Sequence, residues 1–143
     1  MVAGQISCIK IINKLAHADS FHPTMKAWLF LEDVTEKCGP FIYYPKSQRL
    51  TLERLKWEYH RSINYDKYCD GYSEKGSFRA SEEELKQFNL PQPISFNVHA
   101  NTLVIANNFG FHCRDPAEAN SSRRSLWLNA SFSFIPCLFI SSA

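Results

Sequence analysis

The chain has 143 residues, with 16 Lys and Arg against 14 Asp and Glu and a formal net charge of +2. Both signs are spread along it with no basic stripe, which argues against nucleic acid or an anionic membrane as a main partner. This length is enough for one hydrophobic core and not for two, so residues 1–143 are read as a single domain.

Five cysteines (Cys8, Cys38, Cys69, Cys113, Cys137) form no CxxC pair. The N-terminal stretch MVAGQISCIKIINK lacks a basic region followed by a sustained apolar one. Together these predict reduced thiols in a soluble, cytoplasmic protein. The apolar run FSFIPCLFI falls short of the about 20 residues that a bilayer-spanning helix needs. Eleven Phe, six Tyr and three Trp favour a strand-rich core or an aromatic pocket.

In chain order, ISCIKII reads as a short strand rich in β-branched residues. TMKAWLFLEDV is the clearest strand: Met25, Ala27, Leu29 and Leu31 share one face and Trp28 and Phe30 the other. Its middle is therefore expected to be buried on both sides. GPFIYYP is a short aromatic strand between turns set by Gly39, Pro40 and Pro45. LTLERLKWEYHRSI has helical spacing, with Leu52, Leu55 and Tyr59 as its apolar stripe. The polar, tyrosine-rich stretch NYDKYCDGYSEKGSFRA reads as loop. SEEELKQF opens a second helix with a capping box, Ser81 followed by Glu84.

Strands return with ISFNV, NTLVIANNF and SLWLNASFSF. In the last, Leu126, Leu128, Ala130, Phe132 and Phe134 alternate with polar residues and Trp127. Six strand candidates thus flank a helix-and-loop insertion over residues 50–92. That pattern predicts a mainly β domain, an antiparallel jelly roll or cupin-like sandwich with a helical insertion. Trp28 and Trp127 are expected in its core.

His17 and Asp19 stand two residues apart, so on an extended chain an imidazole and a carboxylate point the same way. The pair alone is weak, because a chance HxD is expected roughly one time in six at this composition. A polar strand edge explains it as well. His112 follows the strand NTLVIANNF, and after a polar connection the chain returns as the last strand, expected to lie beside it across a ladder. Arg123 shares the parity of Ser125, Trp127 and Asn129, whereas Arg124 shares that of Leu126 and Leu128. Arg123 is therefore expected to point into a polar cavity near His112.

HADSFHPTMKAWLFLEDVTEKCGPFIYYPKSQRLT together with NTLVIANNFGFH and SSRRSLWLNA resembles the phytanoyl-CoA dioxygenase family of iron(II)/2-oxoglutarate oxygenases, particularly bacterial members. The resemblance runs from about Leu15 to Phe134. It implies a double-stranded β-helix in which His17, Asp19 and His112 ligate Fe(II), leaving open positions for 2-oxoglutarate and O₂. It also implies Arg123, with Arg124 as second choice, as the anchor for the far carboxylate of 2-oxoglutarate. The implied activity is hydroxylation of a small organic substrate with release of succinate and CO₂.

Only sixteen residues precede His17, PKSQ (45–48) stands where the family tends to read Pro-Gly-Ser-His, and six strands are found where the fold has eight. These departures predict a truncated member lacking N-terminal support elements, with an uncovered apolar face. Two other functions use the same residues: a metal-free jelly-roll binding module, and a zinc hydrolase with the same ligands plus water. Arg123 favours the oxygenase over the hydrolase, which gives it no job. His22 is an alternative ligand that breaks the two-residue spacing. Cys113 is expected to face away from His112 as a packing residue, and His60 and His99 to lie at the surface.

Overall fold

A computed structural model describes residues 15–19, 24–68 and 71–131. The expected strand ISCIKII lies outside these residues, as do His22, Phe132 and Phe134. The described chain forms strands β1 (His17–Ala18), β2 (Thr24–Phe30), β3 (Phe41–Tyr43), β4 (Phe78–Arg79), β5 (Ile94–Phe96), β6 (Thr102–Asn107), β7 (His112–Arg114) and β8 (Ser125–Ser131). Helices α1 (Leu52–Ile63) and α2 (Glu82–Gln87) lie between β3 and β5. The domain is mainly β. One antiparallel sheet has the order β4-β1-β7-β3-β5 and the other the order β6-β2-β8.

Five of these strands follow the sequence patterns. β1, β4 and β7 hold two or three residues each, too few to display a period of two. β4 also adds a sheet strand to the stretch 50–92 that reads as helix and loop. The expected pairing of the strand before His112 with the last strand does not occur. β6 and β8 lie on opposite sides of β2, and β7 belongs to the other sheet. A tight turn redirects the chain: Asn107 accepts the Phe109 N–H on its side-chain oxygen (2.9 Å) and the Gly110 N–H on its carbonyl (3.1 Å). His112 therefore opens a new strand in the five-stranded sheet rather than ending the old one.

The core between the sheets is built by Phe30, Val34, Phe41 and Val104, all buried. Trp28 stacks toward Phe41 with ring centroids 4.7 Å apart. Burial of such side chains contributes about 1.5–3 kcal/mol each. Trp127 departs from expectation. It sits opposite Trp28 at the β8 edge and is 61% exposed.

A second cluster lies on the far side of the five-stranded sheet, where Ala16, Ala18, Ala80 and Phe111 meet Trp57, Leu85 and Phe88. The helices cover this side. In α1 the expected face is inverted: Leu52, Leu55 and Tyr59 are exposed, while Arg54, Glu58 and Arg61 are buried. The reason is that Arg54, 1% exposed, lays its guanidinium over Phe109 and Phe111 and bonds Glu58 at 2.7 Å. A planar cation satisfied in this way buries as an aromatic-stacking plate rather than as a bare charge.

In α2 the capping box forms as its residues suggest. Ser81 Oγ accepts the Glu84 N–H at 3.2 Å and Glu84 accepts the Ser81 N–H at 2.8 Å. Glu84 also accepts from Trp57 Nε1 (3.0 Å) and Arg61 Nη2 (2.7 Å), which ties α2 to α1.

The expectation that the middle of β2 is buried on both sides holds on the Trp28 and Phe30 side, while Ala27 and Leu29 on the other side are only partly buried. Its Trp28 and Phe30 side faces the core, whereas Met25 is 38% exposed and Leu31 46%. No described element packs on that outer face.

Candidate metal centre

Period-two alternation divides the short segment around β1. Ala16 and Ala18 turn toward the helices, and His17 turns the other way, into the space between the sheets. His17 stands directly opposite His112 in the β1–β7 ladder, with ring centroids 4.4 Å apart. Asp19 follows β1, and its N–H donates to the Asn108 carbonyl at 3.1 Å. Its carboxylate reaches both rings: Oδ1 lies 3.5 Å from His17 Nε2 and Oδ2 lies 3.5 Å from His112 Nε2. One donor atom from each of the three residues lies within 4.8 Å of the others. No other such group occurs among the described residues.

The backbone selects the tautomers. His17 Nδ1 lies 3.2 Å from the Leu15 carbonyl and His112 Nδ1 lies 2.9 Å from the Gly110 carbonyl. A carbonyl can only accept, so each Nδ1 carries a proton and each Nε2 is the ring atom turned to Asp19. A histidine that ligates a metal is oriented by this kind of outer bond. Two free imidazole nitrogens and a carboxylate fit a divalent transition metal such as Fe(II) or Zn(II).

The electrostatics favour the uncharged His17 and the ionised Asp19 that a metal site would need. Burial first, then the neighbouring His112 and Arg79, pull the His17 pKa down from 6.5 to about 3. Burial alone would raise the Asp19 carboxyl, but His112 and Lys26 outweigh it and hold the group well below the ordinary carboxylate range.

The His17 shift makes the metal-free chain acid-labile. Unfolded His17 binds a proton as pH falls through about 6.5, whereas folded His17 resists it until about 3. The unfolded state thus binds more protons between these values, and stability falls with each step of acidification. Urea midpoints measured from pH 7 to pH 4 are expected to decline steadily, and His17→Phe is expected to flatten the decline.

Arg123 and Arg124 part as their parity suggests. Arg124 pairs with Glu32 at the surface, Nε to Oε2 at 3.0 Å, with its side chain 79% exposed. Arg123 is half-buried and lines a cavity of about 170 Å³ together with His17, Lys26, Trp28, Phe41 and His112. Its Nη1 donates to the Gly39 carbonyl at 2.7 Å. Arg114 Nε donates to the same carbonyl at 3.3 Å, so two guanidinium groups lie close together. Burial first, then Arg114, lower the Arg123 pKa. Neither arginine is ion-paired to a carboxylate among the described residues. This end of the cavity suits an anion.

A larger cavity of about 530 Å³ lies against Thr35, Lys37 and His99, but it gathers no comparable donor set. Cys113 is buried beside His112, and burial pushes its thiol up to about 11, which keeps it protonated and unreactive.

Three contributors escaped the sequence reading. Lys26 Nζ is ion-paired with Asp19 Oδ2, and Ser77 Oγ donates to Asp19 Oδ1 at 3.3 Å. The only sequence signal for Lys26 was its position, a charge on the same parity as Trp28 and Phe30. Ser77 left no signal, because it arrives from the loop before β4.

Gly110 is the third. A Cβ there would lie 2.1 Å from the Tyr43 hydroxyl, and its carbonyl orients His112. Gly110→Ala is expected to cost about 1–3 kcal/mol from overpacking and, if the cluster holds a metal, to weaken its binding roughly 10–100-fold through the displaced carbonyl. Thermal unfolding and metal titration check the two effects separately.

No protein-family model, curated protein or solved structure matches the chain. Its functional reading therefore rests on the residues of this site. Among the described residues, no helix is long and apolar enough to cross a membrane.

Proposed function

We propose that the chain is an Fe(II)- and 2-oxoglutarate-dependent oxygenase of double-stranded β-helix architecture, similar to the phytanoyl-CoA dioxygenase family, acting on a small organic substrate. The observation that carries this reading is the convergence of His17, His112 and the Asp19 carboxylate on one another, with both imidazoles lining a cavity that Arg123 also lines. Two antiparallel sheets, with the chain crossing from β6 to β7 and back to β8, support the architecture.

In this reading His17 and His112 hold the metal through Nε2 and Asp19 holds it through a carboxylate oxygen. When bound, iron and 2-oxoglutarate would let O₂ act as the oxidant, one oxygen atom going to the substrate C–H as hydroxyl and the other into succinate as 2-oxoglutarate loses CO₂. Arg123, steadied by the Gly39 carbonyl, offers its remaining N–H groups to the far carboxylate of the co-substrate. Trp28, Phe30 and Phe41 give the cavity apolar walls that limit water.

The test is anaerobic addition of Fe(II) and 2-oxoglutarate, read by the weak visible charge-transfer band of a chelated keto acid and by succinate release in air. Arg123→Leu is expected to weaken 2-oxoglutarate by roughly 10–100-fold, the worth of about 1.5–3 kcal/mol for a charged hydrogen bond. Arg124→Leu is expected to change nothing. A folded chain with neither band nor succinate contradicts the proposal.

One observation favours the metal-free module instead. Lys26 already occupies the Asp19 carboxylate, and an internal ammonium can stand in for a cation. The oxygenase reading requires metal to displace it, so Lys26→Met is expected to raise metal affinity in a protein that already binds metal. Under the module reading the unmodified chain binds none.

A further inference from the structure

The outer face of the three-stranded sheet is a nearly unbroken apolar grid. The register aligns Leu103 with Leu29 and Leu126 in one row, and Ile105 with Ala27 and Leu128 in the next. Leu103, Ile105, Leu126 and Leu128 are 56%, 57%, 60% and 73% exposed. Isolated exposed leucines need no explanation, but a contiguous patch of this kind calls for a cover.

We propose that residues 132–143 fold back across this face and that the sheet is completed by its own C-terminal segment. Three observations point to that occupant. The segment continues directly from β8, the edge strand of the bare sheet. Its sequence, FSFIPCLFISSA, has no charged side chain and carries Phe132, Phe134, Ile135, Leu138, Phe139 and Ile140, apolar surface to match the grid. Twelve residues reach about 40 Å when extended, while a seven-residue strand spans about 23 Å, so the segment is long enough to turn and return.

The other occupants fit less well. Residues 1–14 lead into β1, which lies inside the opposite sheet between β4 and β7, and they carry Lys10 and Lys14. Three strands about 4.8 Å apart and about 23 Å long present roughly 300–400 Å². Two copies meeting through this face alone bury well under the about 1,200 Å² of a stable interface. A patch of that size matches one extended segment.

Cys137 lies within the proposed cover and supplies the probe. Leu103→Cys, Ile105→Cys and Leu128→Cys, each in the full chain, place a thiol at an exposed position where folding is least disturbed. Mild oxidation followed by non-reducing peptide mapping is expected to give an intramolecular disulfide between Cys137 and at least one introduced thiol, in the monomer fraction. A stop after Ser131 is expected to raise the fluorescence of a hydrophobic dye several-fold while β-sheet circular dichroism persists. If that shortened chain does not fold, the cross-link alone decides. Pairing of the introduced thiol with Cys8 assigns the face to the N-terminal segment, and pairing between chains assigns it to a second copy. Either result, or no Cys137 cross-link at any of the three positions, overturns the proposal.

Discussion

Arg54→Leu is expected to lower the free energy of unfolding by about 3–5 kcal/mol, the cost of breaking a buried ion pair from one side. The guanidinium makes three directed bonds: Nε to Glu58 at 2.7 Å, Nη1 to the Ser47 carbonyl at 2.7 Å, and Nη2 to the Phe109 carbonyl at 2.8 Å. It also lies 4.1 Å from the centre of the Phe111 ring. Leucine fills part of the volume but leaves a carboxylate and two carbonyls without their donor.

Glu58 is only 8% exposed, and burial already raises its pKa even with Arg54 in place. Arg54→Lys is expected to recover little, because one ammonium cannot meet three acceptors spread around a plane. Arg54→Leu combined with Glu58→Leu is expected to recover most of the loss, since paired replacement removes the unmatched charge. Urea midpoints at unchanged m-value check all three. The damage also reaches the site: Arg54 clamps Phe109 beside Gly110, whose carbonyl orients His112. Metal affinity is expected to fall along with stability.

Asp19→Ala is expected to weaken Fe(II) binding by more than 100-fold, beyond the roughly 10–100-fold attached to outer partners of a metal site. Asp19 is the only anionic member of the cluster, and it faces both imidazoles at 3.5 Å. Without it, two neutral nitrogens remain beside Lys26, whose ammonium then repels the incoming cation. Asp19→Asn keeps the shape but not the charge, so it is expected to fall close to alanine. His99→Ala, at a side chain that is 96% exposed and far from the cluster, is expected to leave affinity unchanged. Anaerobic calorimetric titration of the three variants distinguishes loss of charge from loss of fold.

The sequence made the His17–Asp19 half of the candidate cluster legible because its information is local or periodic, whereas His112 was reached through the family resemblance, and the ladder expected to bring it beside the last strand does not form. The two-residue spacing of His17 and Asp19 and the opposite parities of Arg123 and Arg124 both follow from strand geometry, and the structure places those side chains accordingly. The Ser81–Glu84 cap was equally local. What stayed hidden depends on distant partners. Arg54 reads as a solvated residue of α1 until Phe109 and Phe111, more than fifty positions later, provide its stacking surface.

Strands of two or three residues, such as β1 and β7, exist because neighbouring chains pair with them, and no pattern inside them reveals it. The apolar face of β2 misled for a related reason. Met25, Leu29 and Leu31 state that the face wants a cover, but not where the cover lies.

The most direct test of the proposed metal centre is an X-ray absorption spectrum at the iron edge, taken on the chain loaded anaerobically with one equivalent of Fe(II). Two imidazoles and one carboxylate predict nitrogen and oxygen scatterers at about 2.1 Å and the outer-shell features of two histidine rings. Replacing His112 by alanine should remove one ring's share. Iron that washes off the folded chain, or a spectrum without histidine ring scattering, contradicts the account.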